Sequence, residues 1–339
     1  MDALPSLRRM AAWMSAALLA LIAPICSAAA ADTKLSLMVG GVEKQIYLPV
    51  ILASRLGYFR EQGLDVEVLT EPSGVDAEDE LLAGAVQGVV GFYDHTIDLQ
   101  AKGKLVKSVV QFSKIPGEVL LASTRHHSDI RTAADLRDRA LGVTGLGSST
   151  AWLVKYLATT GGLKASEIKP LAVGAGETFI AAMDSGRIAA GMTTEPTAAR
   201  LLSAGQATVL VDLRSVAGTQ QALGGPYPAA CLYMRESWIN THHPAVRKLA
   251  DALVKALRYM QSHSAQDIAS QVPAAYYAGD ERLYVKALAE GKDMFTTDGR
   301  MPPDGPATVL KVLQAVSPHV RSKTIDLQKT YTQEFVSLP

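Results

Sequence analysis

The chain has 339 residues, with 33 Lys+Arg balanced by 33 Asp+Glu. A formal net charge of zero excludes the basic stripe with which nucleic-acid binders displace counterions from phosphate. Charged residues at 19% and hydrophobic ones at 48% exclude a disordered polyelectrolyte, and two cysteines exclude a disulfide framework or a Cys-rich metal centre.

Arg8 and Arg9 precede an apolar run over 10–25, followed by Ser27 and the small residues Ala28 to Ala31. A basic start, a short apolar stretch and small residues describe a secretory signal peptide over 1–31, which implies a periplasmic mature protein. The run is shorter than the ~20 residues that span a bilayer. Cys26 follows Pro24 and Ile25, where a lipidated cysteine normally follows a small residue. Cys231 is then the one mature cysteine and reads as a small buried hydrophobe.

Strand and helix patterns alternate from there on, as expected for α/β layers around a mostly parallel sheet. Strand 35–39 ends at Gly40-Gly41, and helix 49–59 follows. In strand 64–69, Leu64, Val66 and Val68 share one face, with Asp65 and Glu67 on the other. Helix 76–86 has an acidic start. Strands 89–92 and 105–112 flank a helix over 95–102. Thr132 and Asp135 form a capping-box pattern. Strand 141–144 leads through Gly145, Leu146, Gly147, Ser148, Ser149 and Thr150 into a helix ending near 159. Strands are expected over 168–173, 188–192, 207–213 and 229–234, with helices over 178–185 and 196–203. After Pro244, the residues Val246, Leu249, Ala250, Leu253, Leu257 and Met260 fall at helical spacing opposite a charged, solvated face.

Residues 85–92 (AVQGVVGF) resemble residues 185–192 (SGRIAAGM) at an offset of 100. Each is a helix end, a tight turn and a short apolar strand running into polar residues. Two similar α/β units suggest two lobes with a cleft at the strand exits, with His95 and Glu195 at equivalent positions. Chance similarity between short Ala/Gly-rich stretches is the alternative.

Leu48-Pro49 with Ala53, Leu56-Gly57-Tyr58-Phe59 and Gly63-Leu64-Asp65-Val66-Glu67-Val68 resemble the opening of the SsuA/THI5-like (NitT/TauT-type) periplasmic substrate-binding family. Asp135-Leu136, Leu141-Gly142-Val143-Thr144 and Glu195-Pro196-Thr197 match it in the same order. The resemblance implies a type II periplasmic binding protein fold, with residues 32–125 and 230–339 in one lobe and 126–229 in the other. It also implies a monomer that delivers a small solute to an ABC permease and its ATPase subunit. Thr194 stands where many members have Trp before Glu-Pro, so an aromatic platform is in doubt.

The best ligand candidate is the segment from Gly145 to Thr150. Gly147 permits close backbone approach, the helix start favours an anion, and Ser148, Ser149 and Thr150 add hydroxyls. A simple N-cap and turn is the alternative. After the first strand, Gly41, Lys44, Gln45 and Tyr47 form a second group, Lys44 for an anion and Tyr47 for an apolar body. Tyr93, Asp94, His95, Gln111, Glu195 and Tyr227 end strands or sit at crossovers. Capping, core or hinge roles compete with binding at Asp94, His95, Glu195 and Tyr227. The paired histidines His126-His127 and His242-His243 have no partner at metal-ligand spacing, and no Gly-x-Ser-x-Gly elbow occurs. The expectation is a binding protein without cofactor or metal, taking a small organic anion with an aromatic body as one option. A pyrimidine-synthase-like enzyme of the THI5 type and a periplasmic ligand sensor are the alternatives. The enzyme goes with a Cys-rich motif and a cytosolic address, which this chain lacks.

Overall fold

The computed structural model describes residues 33–336, so the proposed leader over 1–31 lies outside the described residues. Ten strands form two five-stranded sheets. In chain order they are β1 (Thr33–Val39), β2 (Leu64–Thr70), β3 (Gly88–Phe92), β4 (Val106–Gln111), β5 (Glu118–Ser123), β6 (Ala140–Val143), β7 (Lys169–Ala172), β8 (Ala190–Thr194), β9 (Ala207–Asp212) and β10 (Ala230–Arg235). The first sheet runs β2-β1-β3-β10-β4 and the second β7-β6-β8-β5-β9. In the first, β1 lies parallel to β2 and β3, while β10 runs antiparallel between β3 and β4. In the second, β6 lies parallel to β7 and β8, while β5 runs antiparallel between β8 and β9. Each sheet therefore completes itself with one reversed strand that follows a crossover from the other. This is the α/β periplasmic binding protein architecture.

The echo at an offset of 100 corresponds to β3 and β8, the third strand of each sheet. β5 was not expected from the sequence. It belongs to the second sheet, so the chain crosses between Gln111 and Glu118, and residues 118–125 leave the lobe to which the sequence reading gave them.

The expected helix over 49–59 is two pieces, Leu48–Arg55 and Tyr58–Glu61. Gly57 between them has φ +77°, a left-handed conformation that ends the first helix at little cost only for glycine. A further unexpected helix, Val216–Leu223, starts at Ser215, whose hydroxyl accepts from Gly218 N–H. The helix His243–Ser262 buries all six residues of its expected apolar face and packs against Leu48–Arg55 beside the first sheet. Cys231 is fully buried on β10.

Packing is close where β8 meets β6. Gly191 pairs with Gly142, and a Cβ on Gly191 would lie 2.7 Å from the Gly142 carbonyl oxygen and 2.7 Å from the Phe179 ring. Backbone has to move to admit it, and overpacking of this kind costs about 1–3 kcal/mol. Gly191→Ala should lower the stability measured by urea unfolding by that amount. A change below about 0.5 kcal/mol, the level of an ordinary surface substitution, would contradict the packing described.

Candidate functional site

The described residues, 33–336, belong to one compact unit that holds both sheets. Where the strand exits of the two sheets approach, a cavity is lined from the first sheet's side by Lys44, Tyr47, Gly74, Phe92 and His95. Glu118, Thr144, Ser148, Ser149, Thr150 and Thr194 line it from the second. In this arrangement its free volume is only about 20 Å³, so the halves must part for a solute larger than about one water to enter.

Each wall follows from local structure. β1 ends in a turn, and Lys44 follows it with its ammonium folded back onto main-chain carbonyls. Two of its three N–H groups go to the Gly40 carbonyl and, at 3.4 Å, to that of Pro72. β3 runs straight into helix Asp94–Ala101, which places Asp94 and His95 at the strand exit. His95 Nδ1 meets Glu78 Oε2 at 2.5 Å, both residues being buried. The imidazole packs against Trp152, ring centres 5.1 Å apart. β6 leads into helix Ser149–Thr160, in which the N–H groups of Ala151 and Trp152 donate to the Ser148 carbonyl at 2.9 and 3.2 Å. The hydroxyls at this end bond to one another. Ser148 Oγ lies 2.8 Å from Thr144 Oγ1 and 2.8 Å from Thr150 Oγ1, and it donates to the Gly145 carbonyl at 2.7 Å. Ser148 thus holds the N-cap position without capping the helix through its side chain.

Two contacts join the sheets across this region. Ser149 Oγ donates to Asp94 Oδ2, and Gln45 N–H donates to the Glu195 carbonyl at 3.0 Å. Tyr227, from the second crossover, donates to the same Asp94 oxygen at 3.0 Å.

The electrostatics are unusual for so dry a place. Glu118 is 2% exposed and Asp94 fully buried, yet Glu118 Oε2 and Asp94 Oδ1 have no hydrogen-bond partner among the described residues. Burial pushes the Glu118 pKa well above the usual carboxylate range, and the charge of Asp94 adds to this against Lys44. Burial raises Asp94 too, although His95 and the hydroxyls of Ser149 and Tyr227 pull it back. Burial lowers Lys44, opposed by Glu43, Glu118 and Asp76. For His95, burial acts downward, but the Glu78 hydrogen bond and charge, with Asp94 and Asp98, outweigh it and the pKa is raised.

Of the residues expected from sequence, Lys44, Tyr47, His95, Ser148, Ser149 and Thr150 line this cavity together. Gln45 and Glu195 line a neighbouring one with Asp212 and Arg214. Both Glu195 carboxylate oxygens are engaged there, one by Arg214 Nη1 at 2.6 Å and one by Ala199 N–H at 2.8 Å. His95 and Glu195 are topologically equivalent but face different spaces. Asp94 and Tyr227 stand behind the wall as partners, and Gly41 lies beneath the Lys44 side chain. Tyr93 bonds Thr330 in the core, Gln111 ties Ser113 and Ala230 together, and Gly147 packs on Val75. Glu118, Glu78, Phe92 and Thr144 were not found from sequence. The signal for Glu118 was an acid opening an otherwise apolar run just after Gly117. Among the described residues no cluster of His, Cys, Asp and Glu is able to hold a metal ion, and no helix is long and apolar enough to cross a membrane.

Glu118, Asp94 and His95 hold protons more tightly folded than unfolded. Their unfolded values lie near about 4 for the carboxyls and about 6.5 for the imidazole. The associated stability is therefore complete below those values and is lost as pH rises through the folded-state values. Asp135, Asp212 and Asp267 are lowered and act below this window, and Lys44, also lowered, acts in the opposite sense at alkaline pH. The urea midpoint should fall between about pH 5 and 7.5, and less steeply in Glu118→Gln. A midpoint that climbs through that range would overturn the assignment.

The sequence matches the NMT1/THI5-like family model over residues 45–266. The search of curated proteins returns no match. Among solved structures, a protein of Bordetella bronchiseptica RB50 is 33% identical with a TM-score of 0.86, covering 89% of this chain and 95% of its own. The alkanesulfonate-binding protein SsuA of Xanthomonas axonopodis pv. citri, solved with MOPS bound, is 18% identical with a TM-score of 0.68, covering 89% and 98%. The periplasmic nitrate-binding protein NrtA of Synechocystis PCC 6803 is 13% identical with a TM-score of 0.65, covering 89% and 87%. The desulfurization enzyme DszB shares the fold at 14% identity and a TM-score of 0.60, covering 89% and 97%. With the family model matching well over half of its length and the fold agreeing throughout, the chain belongs to the NMT1/THI5-like family.

Proposed function

We propose that this protein is the periplasmic substrate-binding component of an ABC importer, working as a monomer that captures a small organic solute and presents it to the permease. The observation that carries the reading is the cavity shared by the two sheets. Buried polar side chains from both halves converge there, and Glu118 Oε2 on its wall lacks a partner that a solute would supply. SsuA and NrtA, similar in fold, are named for binding sulfonate and nitrate. The leader expected over residues 1–31 fits a periplasmic address.

In this reading the lobes are residues 33–111 with 230–336, and 118–212, joined by the segments between them. Solute binding favours the closed arrangement because Lys44, His95 and Ser149 reach one molecule only when the halves meet. The Ser149–Asp94 and Gln45–Glu195 contacts hold that arrangement together. Enzyme chemistry on a thiol has little support, since burial pushes the Cys231 pKa up and keeps it protonated.

Protein purified mildly from its own periplasm should carry a small molecule at near-unit stoichiometry in native mass spectrometry, released on denaturation. Returning it should raise the melting temperature, because a ligand that binds only the folded state stabilises it. Protein without an adduct, and without a thermal shift from a broad panel of organic acids, sulfonates, heterocycles and amines, would overturn the proposal.

A further inference from the structure

The cavity wall carries a buried acid, Glu118, that the sequence reading of an anion site did not include. Lys44 contributes one positive charge, and two of its N–H groups are already held by Gly40 and Pro72. His95 and Glu78 pair with each other. Glu118 remains on the wall as a buried acid with no ion pair to Lys44 among the described residues, Asp94 standing behind the lining; burial raises both acids and favours their protonated forms while the site is empty. The hydroxyls at the start of helix Ser149–Thr160 bond to one another or to Asp94. Of the buried polar atoms without a partner among the described residues, Glu118 Oε2 is the one whose residue lines this cavity. Tyr47 and Phe92 line it as well, their rings edge to face at 6.3 Å between centres.

We infer that the cavity takes a solute with a cationic, hydrogen-bond-donating nitrogen head, a protonated amine or amidine, seated on the Glu118 carboxylate with Asp94 behind it. This rests on the binding role proposed above and replaces the anion expected from sequence. A donor head gives Glu118 Oε2 its missing partner, its charge favours the ionised form of that acid, and its apolar body lies against Tyr47 and Phe92. Burial that raises both acids is the cost the empty site carries and the bound head relieves.

The test uses the mature full chain with five matched probes: benzamidine, benzylamine, benzamide, benzoate and benzenesulfonate. Benzamidine or benzylamine should raise the melting temperature and the two anions should not. In Glu118→Gln, affinity for the cationic probe should fall at least tenfold, while the unliganded variant melts higher than wild type, which also shows that it folds. Asp94→Asn should weaken the same probes less. The solute released from mildly purified protein should be retained by a cation exchanger at neutral pH. The inference falls, with the binding role intact, if anionic or neutral probes give the shift or if Glu118→Gln leaves cationic binding unchanged. It falls likewise if the released solute passes the cation exchanger. An empty protein that answers to no probe overturns both readings.

Discussion

Two acids buried at the meeting of the two sheets, Glu118 and Asp94, are the constraint around which the rest of the structure is arranged. Taking an ion out of water without a partner costs several kcal/mol, and folded proteins normally pair or neutralise such groups. Here Glu118 and Asp94 are each left with one oxygen unpartnered, although Lys44 lies close enough to act on Glu118 through its charge. The surroundings limit the penalty without removing it. Ser149 and Tyr227 hold one oxygen of Asp94, and the protonated His95 is balanced by Glu78. A fold under no demand except stability would replace Glu118 with a neutral residue.

The topology explains how such a cluster is assembled. β3 and β8 hold the same place in their sheets, and both release the chain into a helix at the same end. Their exits bring polar residues from two distant stretches of sequence to one level. The reversed strands matter equally. β5 enters the second sheet directly from the first crossover, so its first residue, Glu118, lies at the junction of the halves. β10 does the same for the first sheet, and Tyr227 on the segment before it reaches Asp94. Side chains at the crossovers thus serve the site because the chain has to pass it twice.

The parts of this arrangement that were legible in the sequence are those with local signals. Alternation marked β2, helical spacing marked His243–Ser262, and the echo of residues 85–92 in 185–192 pointed to β3 and β8. Lys44, His95 and Ser149 were found because polar residues following a strand stand at its exit. β5 left no such mark. Its six residues are all buried, so they show no alternation, and its partners β8 and β9 lie far downstream. Glu118 went unnoticed with it. Glu195 was found by position, but its engagement by Arg214 depends on a turn after β9 that nothing near Glu195 announces. The hydroxyls of Ser148 and Thr150 read as ligand donors or caps, and the structure turns them toward each other.

The differences at β5, Glu118 and Glu195 concern long-range pairing, and they change the electrostatic reading of the site. From the residues visible in sequence, Lys44 and a helix start dominate, and the cavity looks positive. The residue hidden by β5 adds a buried acid whose ionisation depends on what lies beside it. A relative that shares the fold but places a neutral residue at the first position of this reversed strand would keep Lys44 as the dominant charge and favour an anion. On the proposed reading, one side chain at the crossover sets the charge class that this scaffold accepts.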